Sequence, residues 1–165
     1  MINKKKTLKF LSYIILSILI LLPFYSNAIE LDDNTRTVQY DESGKTTTLT
    51  KDQAKRGKKL FNNTCAQCHN GGITKTNPNI GLELESLNSA TPSRDHIVGL
   101  VDYMKNPTSY DGTVSIAESH PGIKSADIFP KMRNLTDEDL SSMAGYILMQ
   151  STIASEKWGG GKIYY

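Results

Sequence analysis

Both cysteines of this 165-residue sequence lie in one short motif, Cys65-Ala66-Gln67-Cys68-His69. C-x-x-C-H is the attachment pattern of c-type haem. Each thiol adds to one vinyl group of the haem and forms a thioether, and the histidine that follows can bind the iron from one side. The motif therefore predicts one covalently bound haem c, with Cys65 and Cys68 as thioether residues and His69 as an axial ligand.

Two other chemistries use closely spaced cysteines. A dithiol redox pair is expected in a thioredoxin-like βαβ context, which the sequence does not show. A structural zinc site needs four ligands, usually with a second pair at short spacing. The remaining histidines, His96 and His120, are 24 residues apart and do not form such a pair.

The second axial ligand decides what a haem here would do, because a His–Met pair raises the reduction potential and two imidazoles favour ferric iron. Met132 lies in a loop before the last predicted helix, 63 residues after His69. His120 precedes Pro121, which favours an extended backbone. His96 lies near a helix start, and we expect it at the surface. The residues alone leave Met132 and His120 as open alternatives.

The haem motif lies at the end of a predicted helix. Thr50-x-x-Gln53 has the form of a capping box and sets the start of that helix. Lys55, Lys58 and Lys59 are expected to face solvent. Residues three or four apart form a small and apolar face: Ala54, Gly57, Phe61 and Thr64.

Two more helices and a hairpin are predicted around this element. Ser93 can cap a helix that ends before Pro107, and Thr136-x-x-Asp139 can cap the last helix. Their apolar stripes are Ile97, Leu100, Val101 and Met104 in the first, and Leu140, Met143, Ala144, Ile147 and Leu148 in the second. Residues 70–92 and 107–125 are predicted mainly as loops, residues 125–132 as a short helical turn, and residues 35–50 as a β-hairpin.

The chain divides into four predicted segments: a signal peptide at 1–28, a hairpin arm at 29–50, a cytochrome c domain at 51–156 and an aromatic, glycine-rich tail at 157–165. The first segment has a basic start, an apolar run and small residues at its end, as secretory signals do. Its removal leaves 15 basic and 17 acidic residues, a net charge of −2. That charge gives no basic footprint for nucleic acid.

Several stretches outside the motif resemble the cytochrome c-550 family, the extrinsic haem subunit of photosystem II. They are Gly71–Pro78, Gly99–Pro107, Ser125–Thr136, Lys157–Lys162 and the final Tyr164-Tyr165. The likeness covers nearly all of residues 29–165. It implies a mainly α, small c-type cytochrome fold with the hairpin arm added. The stretch Gly57-x-x-x-Phe61-x-x-x-Cys65-x-x-Cys68-His69 resembles the opening of small monohaem c-type cytochromes more generally. In that wider family the first helix crosses the last near a small residue, here Gly57, and Tyr146 is the aromatic residue expected there.

The resemblance also implies the site and the function. The family's axial ligands are the motif histidine and a histidine followed by proline, which match His69 and His120, so that Met132 becomes a packing residue. The implied protein is not an enzyme. It is a peripheral subunit on the lumenal side of the thylakoid membrane in a cyanobacterium or red-lineage plastid, where it contacts the photosystem II core and the other extrinsic subunits. The resemblance implies that this subunit carries a low-potential, bis-His haem. It also implies that the subunit stabilises the manganese–calcium cluster and helps retain calcium and chloride.

Two other functional classes follow from the residues. A soluble His–Met electron carrier could use the lysines beside the haem helix to steer toward an acidic partner. A haem enzyme such as a peroxidase needs an open iron face, which ligation by His120 would close. The tail and the hairpin arm are candidates for docking, because Tyr and Trp are favoured anchors at protein interfaces.

Overall fold

The computed structural model describes residues 31–159; the predicted signal peptide and residues 160–165 of the tail lie outside them. The described residues fall in one compact unit. The helices are α1 Asp33–Arg36, α2 Lys51–Thr64, α3 Ala66–His69, α4 Leu84–Asn88, α5 Ile97–Lys105 and α6 Asp137–Ile153, with 3-10 turns at Asn70–Gly72, Pro130–Met132 and Ser155–Lys157. The strands are β1 Thr37–Gln39 and β2 Thr46–Thr48. The predicted fold class, mainly α with a hairpin, is confirmed.

The predicted hairpin packs directly on the last helix. β1 and β2 are antiparallel, with Thr37 opposite Thr48. Val38 and Leu49 are buried, and Leu49 lies so close to Gly145 of α6 that a Cβ there would be 2.4 Å from its Cδ2 atom. The hairpin therefore contributes side chains to the core that also contains the haem helix.

The crossing of α2 and α6 is the closest helix contact that positions the haem motif. Gly57 lies against the backbone of α6, where a Cβ would be 2.0 Å from the carbonyl oxygen of Ser142 and 2.9 Å from Cβ of Tyr146. The rings of Phe61 and Tyr146 pack with centroids 5.3 Å apart. The expected crossing at Gly57, with Tyr146 as its aromatic residue, is confirmed.

The capping boxes at Thr50 and Thr136 are both present, so α2 and α6 begin where the sequence predicts. The last helix is buried far more completely than one apolar stripe implies. From Asp139 to Gln150 only Ser141 is not fully buried, because α6 packs against α2, α5 and the hairpin.

The segment before α5 differs from the prediction. His96, not Ser93, is the N-cap of α5, and the Ser93 hydroxyl instead donates to Oδ1 of Asp95 at 2.8 Å. The expectation of a surface histidine was also wrong, since His96 is only 2% exposed. Its Nδ1 lies 3.1 Å from Asp95 Oδ1, which gives the buried ring a polar partner. The short helix α4 interrupts the loop predicted for residues 70–92, because Leu87 enters the core.

The start of the tail belongs to the core. Trp158 is 7% exposed, and its indole N–H donates to the carbonyl of Leu82 at 2.9 Å. Its ring packs against Phe61 and Tyr146, with centroid distances of 5.7 and 6.4 Å. Trp158 is therefore not available as a docking anchor, and within the tail the docking prediction now concerns residues 160–165.

Candidate haem site

The haem motif occupies a single turn at the junction of α2 and α3. Cys65 caps the end of α2, where its N–H donates to the carbonyl of Phe61 at 2.8 Å. The N–H of Cys68 donates to the carbonyl of Cys65 at 3.1 Å, so both thiols lie on one turn. Cys68 is exposed and Cys65 half-buried, and burial raises the pKa of the Cys65 thiol. One thiol is open to solvent and the other faces inward.

Both the side chain and the backbone of His69 are held by hydrogen bonds. Its Nδ1 lies 3.2 Å from the Thr74 hydroxyl. Burial lowers its pKa to about 4, and the neighbouring His120 adds to the effect. The ring is therefore neutral at physiological pH. A neutral imidazole is the form that binds a metal ion.

His120 is fixed by a loop that hydrogen-bonds to it on several sides. Its N–H donates to the carbonyl of Ile116 at 2.9 Å, and the Ser125 hydroxyl donates to its carbonyl at 2.9 Å. The ring Nδ1 lies 2.9 Å from the carbonyl oxygen of Pro121. Because a carbonyl can only accept, Nδ1 carries the proton, which leaves the lone pair on Nε2. Burial also lowers the pKa of His120.

The imidazole rings of His69 and His120 lie close together. Their ring centroids are 6.1 Å apart and their planes are inclined by 57°. Two imidazoles bound to opposite sides of one metal ion each have a metal–nitrogen bond of roughly 2 Å. When the distance from each bound nitrogen to its ring centroid is added, the two centroids are roughly 6 Å apart. The pair therefore fits a single metal ion between the rings. Within residues 31–159 no group of three or more His, Cys, Asp or Glu is placed to hold a metal ion.

Met132, the alternative candidate for the second axial ligand, lies in the apolar core. Met132 is 1% exposed and belongs to the buried cluster. It is the last residue of the 3-10 turn Pro130–Met132, which covers only the end of the helical turn predicted for residues 125–132. Burial of this kind is expected of a packing methionine and of a methionine ligand alike, so it does not distinguish the two roles.

Two residues beside His120 were not identified from the sequence. The ring of Tyr103 lies 5.1 Å from the His120 ring, and the guanidinium of Arg94 lies 4.0 Å from the Tyr103 ring. Arg94 is buried and donates to the carbonyl of Ser109 at 2.8 Å. Burial raises the pKa of Tyr103. Tyr103 lies within one of the family-like stretches, but no sequence signal placed Arg94 beside it.

The C-x-x-C-H motif forms a turn at the end of a helix that crosses the last helix at a glycine, and a second imidazole lies near the first. Together these features define a small c-type cytochrome. The family model described as "Cytochrome c-550 domain" matches residues 29–165. The chain belongs to the cytochrome c-550 family, and membership implies a haem c cofactor.

Relatives of known name match this chain in sequence over most of its length. The chain is 66% identical over 163 residues to "Photosystem II extrinsic protein V" of Gracilaria tenuistipitata var. liui, covering 99% of this chain and 98% of that protein. It is 72% identical over 141 residues to the protein of the same name from Pyropia yezoensis, covering 86% of each. The crystal structure of cytochrome c549 superposes with a TM-score of 0.76 at 51% identity, covering 78% of this chain and 99% of that one. No helix in the described part of the chain is long and apolar enough to cross a membrane.

Proposed function

We propose that this chain is a lumenal, extrinsic subunit of photosystem II that carries one haem c. Cys65 and Cys68 hold it through thioethers, and His69 and His120 are its axial ligands. The observation that carries the site is the 6.1 Å separation of the two imidazoles, with the Nδ1 proton of His120 directed at the Pro121 carbonyl. The partner is supported by the relatives' shared name, "Photosystem II extrinsic protein V".

The haem, when bound, supplies a one-electron centre whose potential depends on its axial ligands. The protein residues keep both imidazoles neutral by burial and orient them through Thr74 and the Pro121 carbonyl. Two imidazole ligands give a lower potential than a His–Met pair and close both faces of the site. From the family resemblance, we propose a non-enzymatic role in which the subunit stabilises the manganese–calcium cluster and retains calcium and chloride.

The axial ligands are tested by the ferric absorption spectrum and a redox titration of the purified holoprotein. His120→Met and Met132→Leu form a matched pair, because Met132→Leu keeps the volume of a buried apolar side chain. We expect wild type and Met132→Leu to share a low potential without the weak far-red band of Met–iron ligation. His120→Met should raise the potential. A far-red band in wild type that Met132→Leu abolishes would instead assign Met132 and favour the soluble electron carrier.

The photosystem II assignment is tested by reconstitution. Membranes stripped of their extrinsic subunits are mixed with the mature holoprotein, and rebinding and oxygen evolution are measured with and without added calcium and chloride. We expect stoichiometric rebinding and a reduced requirement for both ions. A protein that does not rebind, and that exchanges electrons rapidly with a soluble acidic partner, would refute the assignment.

Two segment assignments belong to the same proposal. The family match begins at residue 29, immediately after the predicted cleavage site, which supports removal of residues 1–28 on export. The intact mass of the exported protein tests this. Residues 160–165 are proposed to dock on the photosystem, so their deletion should weaken rebinding and leave the haem spectrum unchanged. Unchanged rebinding would remove them from the docking surface.

A further inference from the structure

Arg94 is a buried cation next to the proposed haem site. Only 7% of the residue is exposed, and its Nη2 atom donates to the carbonyl of Ser109 at 2.8 Å and to the carbonyl and hydroxyl of Thr108 at 3.3 and 3.2 Å. These acceptors are neutral, and no ion pair within residues 31–159 includes Arg94. A guanidinium stays charged when buried, and burying a charge without an opposite charge destabilises a protein. The fold therefore retains a positive charge that stability alone does not explain.

Three elements of the fold fix the position of this charge. The backbone N–H of Arg94 donates to the carbonyl of Leu87 in α4 at 2.9 Å, and the acceptors at Thr108 and Ser109 belong to the loop after α5. The guanidinium carbon lies 4.0 Å from the centroid of the Tyr103 ring in α5, inside the range of about 6 Å for a cation–π contact. The charge is therefore held at one point beside α5.

Tyr103 brings this charge close to the second axial imidazole. Its ring centroid lies 5.1 Å from that of His120, and the two planes are inclined by 60°. A metal ion bound by an imidazole is roughly 3 Å from the ring centroid, so the guanidinium carbon lies no farther than roughly 12 Å from an ion on His120. Salt screens buried charges much less than exposed ones. The electrostatic field of Arg94 therefore reaches the position of the iron.

We propose that Arg94, held against Tyr103, is a fixed positive charge that raises the reduction potential of the haem iron bound by His69 and His120. The inference rests on the proposed haem ligation. Reduction adds one electron from an external donor and removes one positive charge from the site, so a nearby cation disfavours the ferric form more than the ferrous form. Arg94 therefore offsets part of the lowering that two imidazole ligands cause.

A redox titration of the mature holoprotein, followed by visible absorption, measures this effect. At about 12 Å, with an effective dielectric constant between about 20 and about 80, loss of one charge changes the ratio of ferrous to ferric haem about two- to tenfold at a fixed solution potential. We expect Arg94→Gln to lower the ratio by that amount. Arg94→Lys keeps the charge and should titrate closer to wild type than Arg94→Gln does. Arg36→Gln is the matched control, because Arg36 is equally buried but its charge is paired with Asp33. It should leave the ratio unchanged.

A second pair of variants tests the charge without removing Arg94. Thr108→Asp places a carboxylate where the hydroxyl accepts from Arg94, and Thr108→Asn places a neutral amide of the same shape there. We expect Thr108→Asp to lower the ferrous-to-ferric ratio relative to Thr108→Asn, because its negative charge offsets that of the guanidinium.

Several results would overturn the proposal. An Arg94→Gln protein whose ratio equals or exceeds that of wild type would do so, as would an equal shift in Arg36→Gln. If Arg94→Lys shifts as far as Arg94→Gln, or if the two Thr108 variants have equal ratios, the effect comes from packing and not from charge. The ferric spectrum of each variant reports the axial ligands separately. A bis-imidazole spectrum with an unchanged ratio rejects the role of Arg94 alone, whereas a Met–iron band in wild type rejects the proposed ligation itself.

Discussion

The replacement Gly57→Ala tests whether the close contact between α2 and α6 stabilises the packing of the haem helix, α2, in the core. A Cβ at this position would lie 2.0 Å from the backbone oxygen of Ser142, whereas real Cβ contacts essentially never fall below 3.0 Å. The two helices therefore have to separate by about 1 Å at their crossing. A gap of that size forfeits about a quarter to a half of each dispersion contact across the interface.

The expected cost follows from two opposing effects. Overpacking a dense core costs about 1–3 kcal/mol, and the upper end applies here because a backbone carbonyl cannot rotate aside as a side chain does. Alanine in a helix interior gains about 1 kcal/mol over glycine. The free energy of unfolding should therefore fall by about 2 kcal/mol, which lowers the apparent Tm by about 5–10 °C for a domain of this size.

The assay is thermal unfolding of the mature holoprotein, followed by far-UV circular dichroism at a fixed scan rate. Lys58→Ala is the matched control, because Lys58 is the next residue on the same helix and is exposed. It should change the stability by no more than about 0.5 kcal/mol. A Gly57→Ala protein as stable as wild type, or more stable, would show that helix propensity outweighs the contact and would refute the packing argument.

Two further predictions concern Trp158, which lies just beyond the last helix, and Asp139 in the first turn of that helix. Trp158→Phe keeps a ring in the aromatic cluster but removes the donor to the Leu82 carbonyl, so urea unfolding should show a loss of about 1–2 kcal/mol; no loss would mean that water replaces the indole N–H. The pKa of Asp139 is lowered, chiefly by its hydrogen bond with Arg56. Its ionised carboxylate therefore stabilises the fold at neutral pH. This contribution to the free energy of unfolding disappears as the pH falls through the lowered pKa. Asp139→Asn should therefore cost about 1–2 kcal/mol at pH 7, and its Tm deficit should shrink as the pH is lowered from about 5 to about 2; a deficit independent of pH would contradict this assignment.

Local sequence signals predicted the elements that depend on neighbouring residues. The capping boxes at Thr50 and Thr136 fix helix starts through contacts three residues apart, and both were found as predicted. The hairpin and the haem motif are likewise short-range patterns. Ser93 shows the limit of this reasoning, because its hydroxyl found a competing partner in Asp95 and the helix began three residues later than a Ser93 cap would place it.

Burial was predicted less well than secondary structure. His96 and Trp158 are polar or terminal residues that the sequence placed at the surface, yet both are buried with a hydrogen-bond partner. The partner of Trp158 is Leu82, 76 residues earlier in the chain. No local pattern contains a contact over that distance, which exists only because the helices pack.

The sequence by itself predicted the haem chemistry, because two thiols and an imidazole in C-x-x-C-H spacing form a local pattern. It left His120 and Met132 as alternatives until the family resemblance favoured His120, and the residues alone could not separate them. The tertiary structure brings the His120 ring to 6.1 Å from His69 and buries Met132 in the core. Only packing brings two such residues together, because His120 follows His69 by 51 residues and no local pattern spans that distance.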